Sequence, residues 1–227
     1  MKRIICFVEG QGDVQAVPVL LGRILTEISA WDAVFLDAPL RVGHPHKLAK
    51  NDFKAWREYL LHAVNSRADV GGVLYLADGD LDEFLGDEFC AAKCAMEFAE
   101  KAREAGAEAQ FSVAVVFACL EFKSWLIAGV ESLSGKSLPD GREGVEVGTQ
   151  LPEFHPENSH RGAKAWLNKA MSNGYKETRD QAALTRLVDL SKIRNRPMRS
   201  FLRLDSAVSQ LVKAIREEKH IVSPIFA

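Results

Sequence analysis

Cysteine is scarce in this chain: four in 227 residues, at Cys6, Cys90, Cys94 and Cys119. None has the paired spacing of a zinc site, so a zinc ribbon or finger is excluded and buried, reduced thiols are expected. Long apolar runs are missing as well. No stretch approaches the roughly 20 residues that a bilayer-spanning helix needs. The opening "MKRIICFVEGQG" has an apolar run of only about six residues and no small-residue cleavage site, so it reads as a first strand and not as a signal peptide. The expected location is cytoplasmic, with no membrane partner. Internal repeats and low-complexity tracts are lacking. "EGQGD" has neither a full G-x-G-x-x-G nor a Walker lysine, which excludes the standard nucleotide loops. What remains is an ordinary globular composition, 47% apolar and 26% charged, with a net charge of −2. The length suits one large domain or a domain with a modest appendage.

Apolar periodicity then orders the chain. "RIICFV" (3–8) reads as a buried strand that ends at a glycine turn. "VQAVPVLLGRILTEI" has helical spacing, with Asp13 as an expected cap and the helix effectively starting near Pro18. "AVFLDAPLRV" (33–42) reads as a second strand, 52–64 as a helix, "VGGVLYLAD" (70–78) as a third strand, 87–106 as a helix, 110–118 as a fourth strand and 120–133 as a helix. Alternating buried strands and helices predict an α/β fold: an open, mostly parallel four-stranded sheet with helices on both faces, Rossmann-like in kind. The expected organisation is a 1–133 α/β core, a 134–160 loop, and a helical 161–227 extension packed on the core, closed by a docked tail.

The chemistry concentrates in "LADGDLDEF" (76–84), with Asp78, Asp80 and Asp82 at alternate positions. A calcium loop needs glycine at its sixth position and a bidentate acid at its twelfth. Counting from Asp78 these are Glu83 and Phe89, so that reading fails. A phosphatase-type nucleophile would follow the first strand of its domain, and this D-x-D follows the third. The remaining reading adds Glu9, at the end of the first strand. Ligands of open α/β sheets bind at the C-terminal strand ends. If strands one and three are neighbours, Glu9, Asp78 and Asp80 converge, and hard oxygens of this kind suit Mg²⁺ or Mn²⁺. Asp13, Asp82 and Glu121 are possible additional ligands, with Asp82 the weakest of them. Gly10 and Gly12 suit either a phosphate at the helix N-terminus or a simple turn. His44 and His46 read as a surface loop, as do His155 and His160. Trp125 and Trp166 read as packing residues.

Charge is unevenly spread. Residues 161–227 hold 14 Lys plus Arg against 6 Asp plus Glu, while the first 160 hold 15 against 25. Lys192, Arg194, Arg196, Arg199 and Arg203 crowd one segment, which suits either a phosphate-binding face or a solvated helix with local ion pairs.

The acid in "VEGQGD" and the D-x-D in "LADGD" resemble the TOPRIM domain of topoisomerases, bacterial primases and OLD-type nucleases. Over most of its length, in "EGQGDVQAVPVLL", "YLADGD", "EFKSWLIAGVESL", "RGAKAWL", "YKETRDQAALTRLVDL" and "RNRPMRSFLRL", the chain resembles a bacterial family catalogued as domain of unknown function 4276. The resemblance implies a TOPRIM-type sheet with a helical C-terminal part and Mg²⁺-dependent cleavage or rejoining of nucleic acid, DNA in preference to RNA. It also implies an ATPase partner and a role in phage or plasmid defence. Its site residues carry over as Glu9, Asp78 and Asp80 only; from the basic charge of the last part of the chain, Lys164, Arg194, Arg196 and Arg199 are separate candidates to hold the backbone. Asp13 stands where relatives usually have Glu, and Lys123 stands where an acid is expected. Two other readings stay open: a non-catalytic module that binds nucleic acid or regulates an ATPase, and a small-molecule phosphohydrolase.

Overall fold

A computed structural model describes residues 1–157 and 162–225, and His160 lies outside them. The apolar run Lys2–Val8 forms β1, and Gln11–Glu27 forms α1. Val34–Leu36 is β2, Leu40–Arg41 is β3 and Pro45–Asn65 is α2, which is kinked at residues 50–53. The long strand Val70–Gly79 is β4. Glu83–Phe84 (β5) and Asp87–Glu88 (β6) make a small hairpin before α3 at Ala91–Glu104. Ser112–Cys119 is β7 and Lys123–Ala128 is α4. Then come α5 (Ala163–Ala170), a π-helical turn at Glu177–Gln181 that runs into α6 (Ala182–Leu187), α7 (Leu190–Arg194), α8 (Arg199–Arg216) and β8 (Val222–Ser223).

The main sheet has the order β2-β1-β4-β7-β8, with β3 also on β1, and every pairing is parallel. It is therefore an α/β fold with a parallel sheet, but of six strands and not four. The expected second strand is broken into β2 and β3 around Pro39, which has no N–H to give a ladder. The expected docked tail adds β8 beside Val113 and Ala114. Two helix expectations also shift. The third helix starts at Ala91 because β5 and β6 turn the chain first. Helix α1 starts ahead of Pro18 at Gln11, and Asp13 is its third residue, not its cap.

Side chains alternate across the strands with the period of two that a pleat imposes. Ile4, Cys6, Val8, Leu74, Leu76, Ala114 and Val116 face a core shared with α1, α4 and α8. Ile5, Phe7, Val73, Tyr75, Val113, Val115 and Phe117 face a second core with α2 and α3. Both faces are covered, which is why the strands read as continuous apolar runs. The helical C-terminal part lies in the first core: Phe201, Leu204, Val208 and Leu211 of α8 are buried against the sheet. Trp125 is buried there too, donating its indole N–H to Ser200 Oγ at 2.9 Å. Among the described residues no helix is long and apolar enough to cross a membrane.

Candidate functional site

Strands β1 and β4 are hydrogen-bonded neighbours, with Val8 opposite Leu76. Both run the same way, so Glu9 and the Asp78–Asp80 segment emerge at one edge. Gly79 is required between the two aspartates: a Cβ there would stand 2.7 Å from the Ala118 carbonyl oxygen on β7. The D-G-D spelling thus reflects close strand packing as well as chemistry.

Each acid has a distinct environment. Asp78 accepts the Phe122 backbone N–H at 2.8 Å on Oδ1, and its Oδ2 lies 3.8 Å from Lys123 Nζ. Glu121 accepts the Ala163 N–H at 3.1 Å, at the start of α5, while its other oxygen is 2.9 Å from Lys123 Nζ. Glu177, from the π-helical turn, is 3.1 Å from the same nitrogen. Lys123 itself is buried. Burial disfavours its charge, but the fields of Asp78, Glu121 and Glu177 overcome that and hold the ammonium protonated well above its usual range. Burial pushes the Asp78 carboxyl well up, against the opposing pull of Lys123.

Glu9, at the end of β1, is half-buried like Asp78. Its Oε2 is buried without a hydrogen-bond partner, and its Oε1 is 4.0 Å from His44 Nε2. Burial first, and the charge of Asp80 second, raise its pKa to about 7. The Tyr75 hydroxyl is likewise buried without a partner, within the field of Glu9. Two orphaned polar atoms beside a crowded pair of carboxylates mark a place where a cation or ordered water would satisfy the chemistry.

Asp13 serves the scaffold. Its carboxylate accepts the Gly10 N–H at 2.9 Å and the Gln181 amide at 2.7 Å. Gly12 is buried under Glu177 and Gln181, so no phosphate has room against that glycine. Asp82 is exposed at the base of the β5–β6 hairpin, away from the Lys123 cluster. The expected surface loop ends at His44, because Pro45 and His46 already belong to α2; His44 is half-exposed, caps that helix by accepting the His46 backbone N–H, and faces Glu9.

The basic segment does not present one open face. Arg194 pairs with Glu27 at 2.6 Å and Asp205 at 2.5 Å, and Arg196 pairs with Glu131 at 2.9 Å. Arg203 donates to Ser223 Oγ and the Val115 carbonyl. Arg199 is exposed near the end of β7, and Lys164 is exposed 3.5 Å from Glu177, at the mouth of the site. Of the four residues expected to hold a nucleic-acid backbone, Lys164 and Arg199 are exposed, and Arg194 and Arg196 are turned into local ion pairs.

Sequence reasoning missed Lys123 and Glu177 as site residues. Lys123 was visible as a base in an acidic place. Glu177 carried no signal, because only the packing of the π-helical turn on α1 brings it there.

Among the described residues, no three His, Cys, Asp or Glu side chains are grouped so as to hold a metal ion. Asp78 already accepts the Phe122 N–H and faces the Lys123 ammonium, so a three-carboxylate centre does not fit. A single Mg²⁺ or Mn²⁺ at the rim does fit, because such ions take one or two carboxylates and complete their shell with water and phosphate. The orphaned Glu9 Oε2 is the observation that favours it.

No curated protein and no solved structure matches the chain. The family model described as domain of unknown function (DUF4276) matches residues 8–207, and the chain belongs to that family.

Proposed function

We propose that the protein is a TOPRIM-like nuclease, or a nuclease-like subunit, acting on nucleic-acid phosphodiesters at the β1–β4 edge. The observation that carries this reading is the convergence of Glu9 with Asp78 and Asp80 at the C-terminal ends of adjacent parallel strands, with Glu9 Oε2 left unpartnered. Glu9 and Asp80 would hold one Mg²⁺ or Mn²⁺. When bound, that ion would stabilise charge on the phosphate and lower the pKa of a water. Without the ion, burial and the charge of Asp80 raise the Glu9 pKa to about 7, and a bound cation would reverse that shift and hold Glu9 as the carboxylate. Asp78, fixed by the Phe122 N–H and Lys123, positions the segment that carries Asp80. Lys164 and Arg199 supply charge to the phosphate backbone, with DNA the expected substrate. An ATPase partner and a defence role remain part of the proposal and rest on the family resemblance.

The test is metal-dependent nicking. With Mn²⁺ or Mg²⁺ the purified protein is expected to nick DNA, and Glu9→Gln or Asp80→Asn is expected to abolish it. Cleavage that persists in both variants would remove the assignment.

A second reading is favoured by Lys123, which stands in the acidic cluster where a further acid is expected. In it the protein binds nucleic acid or regulates an ATPase without cutting. It predicts salt-dependent DNA binding that weakens in Lys164→Ala, with no turnover under any divalent metal.

A further inference from the structure

We infer that Lys123 is a tethered cation that occupies the inner half of the acidic site, so that the protein takes at most one divalent ion, at the rim, and cannot run a two-metal centre. The rim ion belongs to the function proposed above; the exclusion of an inner ion rests on Lys123 alone.

Glu121 and Glu177 present oxygens 2.9 and 3.1 Å from one ammonium nitrogen, and Asp78 presents another at 3.8 Å. The three acids come from β4, from the loop before α4 and from the π-helical turn, so three separate elements are built around this point. A Mg²⁺ or Mn²⁺ bound to those oxygens would sit about 2.0–2.1 Å from each. Such an ion would overlap Lys123 Nζ, and its charge would repel the ammonium. The site therefore accepts either the lysine or the metal. Lys123 is buried and its ammonium is already held by Glu121 and Glu177, which makes it a filler of the cluster and not a phosphate ligand. Two-metal phosphodiester chemistry needs ions about 3.5–4 Å apart, and the position that would hold the inner one is taken.

The experiment counts Mn²⁺ per chain by electron paramagnetic resonance and calorimetry, and follows Tm against Mn²⁺. Relative to the natural protein, Lys123→Ala is expected to gain one Mn²⁺ equivalent and a Tm that rises with Mn²⁺, and Lys123→Arg to gain neither. Adding Asp78→Asn to Lys123→Ala is expected to weaken the gained site at least tenfold, and Glu9→Gln is expected to leave the gain intact. Equal Mn²⁺ counts in Lys123→Ala and the natural protein would overturn the inference. A count of zero in the natural protein would overturn the rim ion instead, and the gain in Lys123→Ala would still be read. If Lys123→Ala does not fold even with Mn²⁺, the double variant Lys123→Gln with Glu177→Gln removes both charges and keeps Asp78 and Glu121. It is expected to gain Mn²⁺ binding, and no gain would equally overturn the inference.

Discussion

Replacing Gly12 with alanine sets two opposing effects against each other. Gly12 is the second residue of α1, and alanine is the better helix former by up to about 1 kcal/mol. On an open helix Gly12→Ala would therefore stabilise. Here the added Cβ would stand 2.9 Å from Gln181 Oε1, 3.0 Å from Glu177 Cβ and 3.3 Å from the Glu177 backbone carbon. The Gln181 amide could swing away, but it donates to Asp13 at 2.7 Å and its oxygen accepts the Tyr175 hydroxyl at 3.1 Å. Losing one such bond costs about 0.5–1.5 kcal/mol. The Glu177 backbone cannot swing, and overpacking of this kind costs about 1–3 kcal/mol. The clash outweighs the propensity, and a net loss of about 1–2 kcal/mol is expected. Urea unfolding followed by circular dichroism would read it as a lower midpoint with an unchanged slope. A Gly12→Ala protein as stable as the natural one, or more so, would refute the tight seat of the π-helical turn on α1. It would also refute the placement of Glu177 beside Lys123.

Two further outcomes follow from buried acids. Asp180 is fully buried and accepts the Lys176 N–H at 2.8 Å, Arg179 at 2.6 and 2.7 Å and Arg142 at 2.8 Å. Burial opposes its charge, but the bonds from Arg179, the Lys176 N–H and Arg142 prevail and hold its pKa below the usual value. The depressed pKa contributes stability above the unfolded value that is lost as pH falls through the folded one. Asp180→Asn should lower stability at pH 7 by about 2–3 kcal/mol, less than a fully buried pair because both arginines keep some exposure; no change in the urea midpoint would refute this. Glu9 has the opposite sign. Its pKa is raised from 4.5 to about 7, so the folded state binds the proton more tightly and stability declines as pH rises through that window. In buffer with a chelator, Glu9→Gln should flatten that decline, recovering about 2 kcal/mol by pH 8 after allowance for solvent screening. A pH slope shared by both proteins would show that Glu9 does not carry it.

Where the interactions are local or strictly periodic, the sequence determined the outcome. The runs around Ile4, Leu74 and Val115 were long, apolar and β-branched, and they became the three central strands because a strand buried on both faces must be apolar throughout. Glu9 and Asp78 could be placed at one edge because parallel strands share their C-terminal ends. Asp82 could be ranked last among the acids because the calcium-loop positions counted from Asp78 hold the wrong residues. The tertiary structure alone decided the rest. It broke the second strand at Pro39, brought Val222–Ser223 across the whole chain to the sheet edge and placed Glu177 beside Lys123. A lysine in an acidic stretch reads the same whether it is solvated or buried. Only burial among Asp78, Glu121 and Glu177 makes it the counter-charge of the site, because ion pairing depends on distance through space and not along the chain.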